Sequence, residues 1–144
     1  MLLKLHKWLI SMIVLSFAGF LDAVYLTIHH YLNSSIPCIL LKGCDIVTRS
    51  SYSVILGVPV ALLGAVYYLA VVILAVLYLD RNWKWSFLLI KIFVSLGFAF
   101  SLWFVYVQAF ILHSFCLYCL ASAAITTTLF ILSLSVLKFR QQIN

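Results

Sequence analysis

Residues 114–137 read "SFCLYCLASAAITTTLFILSLSVL", and this stretch decides the fold. It is apolar apart from the cysteines Cys116 and Cys119 and a few hydroxyl side chains, and it carries no charge. A helix of about 20 apolar residues crosses the hydrocarbon core of a bilayer, which is about 30 Å thick. The stretch therefore predicts a membrane-spanning helix, over about residues 115–137, that begins with a CxxC motif.

Three more stretches of the chain have the same apolar character and length. Of the 144 residues, 67% are hydrophobic and 8% are charged, which is more apolar surface than a soluble domain of this length can bury. The sequence predicts an all-α membrane protein, a single domain over residues 1–144 folded as a four-transmembrane-helix bundle with a cysteine-bearing extracytoplasmic loop. The first stretch is too long for a signal peptide and contains Asp22, so we expect it to be retained. The predicted spans are about 8–31, 54–79, 85–112 and 115–137.

Lysine and arginine are unevenly divided between the two faces of the predicted bundle. Cytoplasmic flanks of membrane spans are enriched in these residues, which indicates that both termini are cytoplasmic. The net charge of +6 is then an orientation signal. The sequence does not have the basic stripe interleaved with exposed aromatic residues that is typical of nucleic-acid binding. The richer face holds Lys4, Lys7, Arg81, Lys84, Lys138 and Arg140, and the poorer face holds Lys42 and Arg49.

With this topology all four cysteines lie outside the cytoplasm, where the environment is oxidising and thiols pair or turn over as disulfides. Cys38 and Cys44 have five residues between them, a separation that an irregular loop can bridge. Ser114 is expected to be the N-cap of the fourth span, which would place the CxxC in the first helical turn. The helix N-terminus stabilises a thiolate, most strongly at Cys116. Cys119, roughly 4.5 Å deeper along the helix axis, is better placed to meet a lipid-soluble oxidant.

The cysteines leave several kinds of function open. Two static disulfides would make the chain a non-catalytic, disulfide-stapled membrane scaffold or binding protein, and four thiolates are also the ligand set of a structural zinc site. Covalent haem attachment requires a histidine directly after the CxxC, where this chain has Leu120. A transporter is the third class, but four spans offer little for a translocation path. We favour redox chemistry without a metal because the CxxC starts a helix beside a second cysteine pair.

Residues 38–64, "CILLKGCDIVTRSSYSVILGVPVALLG", and the CxxC that opens the fourth span resemble the vitamin K epoxide reductase family. The resemblance runs over about residues 17–132 and is to the bacterial form without a fused thioredoxin-like domain. It implies a location in the plasma (inner) membrane. In the related disulfide-bond formation protein B family the CxxC belongs to the first extracytoplasmic loop, whereas here it comes last.

The resemblance also implies roles for the cysteines. Cys38 and Cys44 would be the shuttle pair that exchanges with an extracytoplasmic thioredoxin-fold, disulfide-donating partner. Cys116 and Cys119 would be the pair that reacts with a quinone of the ubiquinone, menaquinone or vitamin K type. The predicted function is that of a membrane thiol:quinone oxidoreductase that supports disulfide bond formation. We expect Cys44 to attack Cys116 and Cys119 to be the terminal electron donor.

Two positions depart from the family's pattern. Animal members have a tyrosine where this chain has Ala123, and many members have a phenylalanine where it has Leu56. These departures favour thiol oxidation by a quinone over specific reduction of vitamin K epoxide. Ser50 matches the family's loop serine. The residues predicted for the quinone pocket are Ser50, Ser53, Leu56 and Phe110.

Four further polar residues fall within or near the predicted spans. Asp22 and His29 are seven residues apart and share a helix face, which favours either a proton route or a buried polar pair. Gln108 and His113 fall near the outer ends of spans, where we expect water to reach them.

Overall fold

The computed structural model describes residues 2–81 and 83–143. Met1, Asn82 and Asn144 of the predicted domain lie outside the described residues, as do the side chains of Leu2, Arg140 and Ile143, so the positive charge counted at Arg140 is also outside them. Besides its helices and strands, the chain forms a 3₁₀ turn, Ser51–Ser53, and a π-helical turn, Val107–Ile111. The helices and strands are α1 (Leu2–Tyr31), α2 (Cys44–Thr48), β1 (Val54–Ile55), β2 (Val58–Pro59), α3 (Val60–Arg81), α4 (Lys84–Tyr106) and α5 (Leu117–Ile143).

Four of these helices are long and apolar enough to cross a membrane, which confirms the predicted fold class. The chain is therefore an integral membrane protein. Large apolar side chains such as Val14, Val66 and Leu96 are exposed on the outside of the bundle, as expected of a surface that faces lipid rather than water. The four membrane-spanning segments are Leu3–Tyr31, Val60–Arg81, Lys84–Ile111 and Leu117–Phe139.

The predicted start of the second span, residue 54, is wrong. Residues 54–59 form a small antiparallel hairpin in which Val54 pairs with Pro59 and Ile55 with Val58. The turn between the strands needs a positive φ at two consecutive positions, and Leu56 (51°) and Gly57 (81°) supply it. The apolar run of β1 and β2 is thus used for a surface hairpin, and α3 starts at Val60.

The long helices pack in the cyclic order α1, α3, α4, α5, so that each one contacts two neighbours. Small residues let the backbones of α1 and α3 approach closely. At Gly19 an added Cβ would lie 2.5 Å from the ring of Tyr68, so only glycine leaves room for that ring. The Tyr68 hydroxyl then reaches α5, where it shares hydrogen bonds with the hydroxyls of Ser122 (2.7 Å) and Thr126 (3.1 Å). One buried tyrosine therefore ties three helices together.

Candidate active site

The loop between α1 and α3 carries the first cysteine pair. Cys38 and Cys44 form a disulfide, with their Cα atoms 6.2 Å apart. The loop is held in place because the Asp45 carboxylate, in the first turn of α2, accepts a hydrogen bond of 3.0 Å from the backbone N–H of Ile36. Cys44 is 1% exposed and Cys38 is half-buried. Of the two sulfur atoms, that of Cys38 is therefore the more accessible to an external thiol.

Glycine at position 43 brings this loop against the second cysteine pair. A Cβ added to Gly43 would lie 2.7 Å from the backbone oxygen of Phe115 and 2.9 Å from its nitrogen, closer than van der Waals contact permits. Gly43 directly precedes Cys44, and Phe115 directly precedes Cys116. This close approach at Gly43 brings Cys44 and Cys116 into one packed apolar cluster with Leu26, Ile36 and Val47.

We predict that Gly43→Ala slows electron transfer from the loop pair to the CxxC by about tenfold to a hundredfold, because displacing reacting groups by about 1 Å can cost this much. The rate is measured by mixing the protein, with both cysteine pairs oxidised, with a soluble dithiol that reduces the loop pair. The mixture is quenched rapidly with an alkylating reagent, and mass spectrometry of the four cysteines shows how fast the CxxC becomes reduced. Lys42→Ala, at the exposed neighbouring position, is the control and should transfer at the wild-type rate. An unchanged rate in Gly43→Ala would mean that this close contact does not govern the exchange.

The CxxC lies at the start of α5, but its cap differs from the prediction. Ser114 is not the N-cap; its N–H instead donates to the backbone oxygen of Gln108 (3.1 Å). Cys116 occupies the capping position, because its carbonyl accepts the first helical bond from Leu120 (2.9 Å) and its Sγ accepts a bond from the Cys119 N–H (3.4 Å). The helix therefore begins one residue after the first thiol.

The capping geometry favours ionisation of Cys116. The hydrogen bond from the Cys119 thiol lowers the pKa of the Cys116 thiol, and the backbone N–H groups of Cys119 and Tyr118 lower it further, against the opposing effect of burial. A thiolate is the form of cysteine that attacks disulfides. Cys116 is therefore the member of the CxxC whose thiolate the local structure stabilises.

Gln108 is a residue of this site that the sequence analysis missed. It is completely buried rather than reached by water, and its Oε1 accepts a 3.0 Å hydrogen bond from the backbone N–H of Cys116. It lies in the π-helical turn, closed by a bond of 2.9 Å from the Leu112 N–H to the Val107 oxygen. Such turns are frequent at functional sites. The signal in the sequence was an amide within the apolar run "VYVQAFIL", eight residues before Cys116.

A cavity of about 490 Å³ lies between the long helices on the inner side of the CxxC. Three polar atoms on its lining residues are buried without a hydrogen-bond partner among the described residues: Asp22 Oδ2, Tyr67 Oη and Gln108 Nε2. Leaving such an atom unsatisfied costs about 1–3 kcal/mol, so these atoms are suited to a ligand. Most of the lining is apolar, and its polar or sulfur-bearing members include Asp22, Ser53, Tyr67, Tyr68, Gln108 and Cys119.

The four residues predicted for the quinone pocket are not brought together. Ser53 lines the cavity, and its Oγ donates to the backbone oxygen of Ser50 (2.7 Å). The Ser50 hydroxyl in turn donates a hydrogen bond to the backbone oxygen of Val47 (2.7 Å). Leu56, at the tip of the hairpin, is 99% exposed, and Phe110, on the outside of the π-helical turn, is 67% exposed. Neither of the last two is a lining residue of the cavity, since both face away from the bundle.

Asp22 and His29 do not form the polar pair that their spacing suggested. Asp22 lines the cavity, whereas His29 Nδ1 lies 2.6 Å from the hydroxyl of Ser34 in a separate small pocket. His113 is exposed, in the left-handed region of backbone conformation (φ 50°), beside the CxxC. Within residues 2–81 and 83–143, no three His, Cys, Asp or Glu side chains are grouped as a metal site would require.

The sequence model described as "Vitamin K epoxide reductase family" matches residues 10–134. The chain belongs to the vitamin K epoxide reductase family. The match includes both cysteine pairs, the loop, the hairpin and most of the four long helices. Membership supports oxidoreductase activity within a membrane, and in this chain the cysteines are the side chains that can carry it.

Proposed function

We propose that this protein is a membrane thiol:quinone oxidoreductase that reoxidises a thioredoxin-fold, disulfide-donating partner. The observation that carries the proposal is the position of Cys119, whose side chain lines the cavity while its neighbour Cys116 packs in one cluster with Cys44. The four cysteines thus occupy successive places from the loop disulfide, through the buried cluster of Cys44 and Cys116, to Cys119 at an apolar chamber between the long helices. A stapled scaffold would not require a cysteine to line an apolar cavity between the helices.

The cavity has the size and chemistry that a quinone ring requires. Its volume of about 490 Å³ lies within the usual range of small-molecule sites, about 300–1,000 Å³. Apolar walls suit the ring and the start of an isoprenoid tail, and the unpartnered donors Tyr67 Oη and Gln108 Nε2 suit carbonyl oxygens. A quinone bound there supplies an acceptor for two electrons and two protons. Tyr67, Gln108 and Cys119 are the residues that would hold and face it.

The electron path begins at the half-buried end of the loop disulfide. A dithiol of the partner attacks Cys38, and the partner leaves as a disulfide while Cys38 and Cys44 become thiols. The Cys44 thiolate next attacks an oxidised CxxC at Cys116, which releases Cys119 as a thiolate. Cys38 then attacks Cys44, which restores the loop disulfide and leaves Cys116 reduced.

In the last step Cys119 gives up the electron pair to the acceptor and closes a disulfide with Cys116. The two protons of the thiols pass to the two acceptor oxygens, so atoms and electrons balance. Asp22 is suited to move one of these protons, because it is the acidic residue that lines the cavity beside Cys119. The other two acidic residues are engaged elsewhere: Asp45 binds the loop backbone and Asp80 pairs with Arg81.

The proposed orientation follows from the charges. The cysteines would face the extracytoplasmic side of the plasma (inner) membrane and both termini the cytoplasm, since lysine and arginine predominate at the opposite ends of the helices. The partner would approach the loop tip beside Cys38, where Ile39 and Leu40 are 94% and 77% exposed.

The proposal is tested by anaerobic mixing of the fully reduced, purified protein with a soluble quinone. We expect stoichiometric hydroquinone formation, with closure of the disulfide between Cys116 and Cys119 detected by alkylation and mass spectrometry. The same mixture without protein gives the background rate. If no quinone of the benzo- or naphthoquinone type takes electrons from the protein, the catalytic function is refuted and the stapled scaffold is favoured.

A further inference from the structure

Gln108 has one half of its side-chain amide engaged and the other half free. The backbone N–H of Cys116 can bond only to an acceptor, so its 3.0 Å contact fixes which amide atom is Oε1 and which is Nε2. Nε2 is therefore a donor, and it is buried without a hydrogen-bond partner among residues 2–81 and 83–143. A buried donor in this position costs stability unless something else accepts from it.

The surroundings of Gln108 indicate what that acceptor is. Gln108 lines the same cavity as Cys119, and its side chain is 0% exposed, so bulk water does not reach the amide. The hydroxyls of Tyr68 and Ser53 on the cavity wall are already occupied, since Tyr68 shares hydrogen bonds with Ser122 and Thr126 and Ser53 donates to Ser50. Tyr67 Oη, like Gln108 Nε2, has no partner among the described residues. A neutral amide donor in an apolar chamber matches a neutral carbonyl acceptor.

We propose that Gln108 is a quinone-binding residue that contacts both reactants, its Nε2 donating to one quinone carbonyl oxygen while its Oε1 holds the backbone of Cys116. This inference rests on the proposed function and adds to it the residue that sets the distance between acceptor and thiols. Because one rigid amide bonds to both, the ring is held beside the CxxC whenever the carbonyl is bound. The donated hydrogen bond also strengthens as negative charge develops on that oxygen, which favours electron transfer.

The test compares two probes of nearly the same shape, 2-methyl-1,4-naphthoquinone and 2-methylnaphthalene, of which only the first has carbonyl groups. Equilibrium binding of each is measured to the wild type and to Gln108→Met, a replacement of similar length without the amide. We expect Gln108→Met to weaken binding of the quinone by about tenfold while binding of the hydrocarbon changes less than twofold. Gln108→Met should also raise the KM for the quinone more than it lowers kcat.

Equal losses for the two probes would assign Gln108 a purely structural role and overturn the proposal, and so would unchanged binding of the quinone. If Gln108→Met does not accumulate in the membrane, Gln108→Glu replaces it, because it keeps an acceptor for the Cys116 N–H. The selective loss is then measured at a pH high enough to ionise this buried carboxyl, because burial favours the neutral acid and only the carboxylate lacks a donor. A wild-type protein that reduces quinone while the variants bind it normally would refute the inference alone. A wild-type protein that neither binds nor reduces quinone would refute the proposed function.

Discussion

Replacing Cys119 with serine is expected to lower the rate of quinone reduction by at least a factor of about 100, toward the rate without protein. The serine hydroxyl has nearly the same shape as the thiol but cannot give up an electron pair to form a disulfide. Cys119 is also the cysteine that lines the cavity, whereas Cys116 is enclosed between the loop and the end of α4. Cys116 in this variant can still exchange with Cys44, so the loss should be confined to the last step.

Two measurements on Cys119→Ser separate these steps. Hydroquinone formation under anaerobic conditions should stop. In the form that keeps the loop disulfide, the Cys116 thiolate should attack it at Cys44 and release Cys38 as a thiol, so that a disulfide between Cys44 and Cys116 is detected without an added oxidant. Ala121→Ser, which adds a hydroxyl on the exposed side of the same helix, is the matched control and should reduce quinone normally. Quinone reduction that persists in Cys119→Ser would mean that another thiol faces the acceptor.

The membrane fold could be predicted from the sequence because it depends on the length of the apolar stretches. Four uncharged or nearly uncharged stretches of more than 20 residues leave the backbone few alternatives to helices in a bilayer. The same reasoning failed at residues 54–59, where an apolar run forms a hairpin. Apolar character alone does not distinguish a strand from the start of a helix, and the turn at Leu56 and Gly57 was the feature that decided it.

The site could be predicted in part. The cysteine pairs were found because their spacing and position are local features of the sequence. Gln108 was missed because its importance comes from a contact across the π-helical turn to Cys116, which no periodicity reveals. Ser114 and Cys116 both precede α5, and the sequence alone does not show which of them is the N-cap. Because the N–H of Ser114 donates to the Gln108 carbonyl, Ser114 does not cap the helix and Cys116 does.

The pocket candidates illustrate the same limit. Leu56 stands where many members of the family have a phenylalanine, and Phe110 is an aromatic residue six positions before Cys116. Their side chains point out of the bundle, since a residue's face depends on where the hairpin and the π-helical turn begin. A shift of one residue in a helix turns a side chain by about 100 degrees, and sequence patterns locate element boundaries less accurately than that.

Replacing Cys38 with alanine is expected to convert the transfer intermediate between Cys44 and Cys116 into a stable species. In the proposed sequence Cys38 is the thiol that attacks Cys44 and releases Cys116, so its removal stops the exchange after the first bond forms. The packing supports this expectation, because Cys44 and Cys116 share one buried cluster and Gly43 lies against the backbone that precedes Cys116. Water and external thiols reach such a buried bond poorly, which should prolong its lifetime.

Peptide mapping without reduction would detect the link. Trypsin cleaves after Lys42 and Arg49, so Cys44 falls alone in the peptide 43–49, whereas Cys116 and Cys119 fall in the peptide 92–138. We expect these two peptides to be joined in Cys38→Ala prepared with its CxxC oxidised, since the attack of Cys44 on Cys116 then releases Cys119 as a thiol. Cys44→Ala cannot form the link and is the control. Absence of the joined peptides from Cys38→Ala would contradict transfer through Cys44, since the loop electrons would then have to reach the CxxC through Cys38.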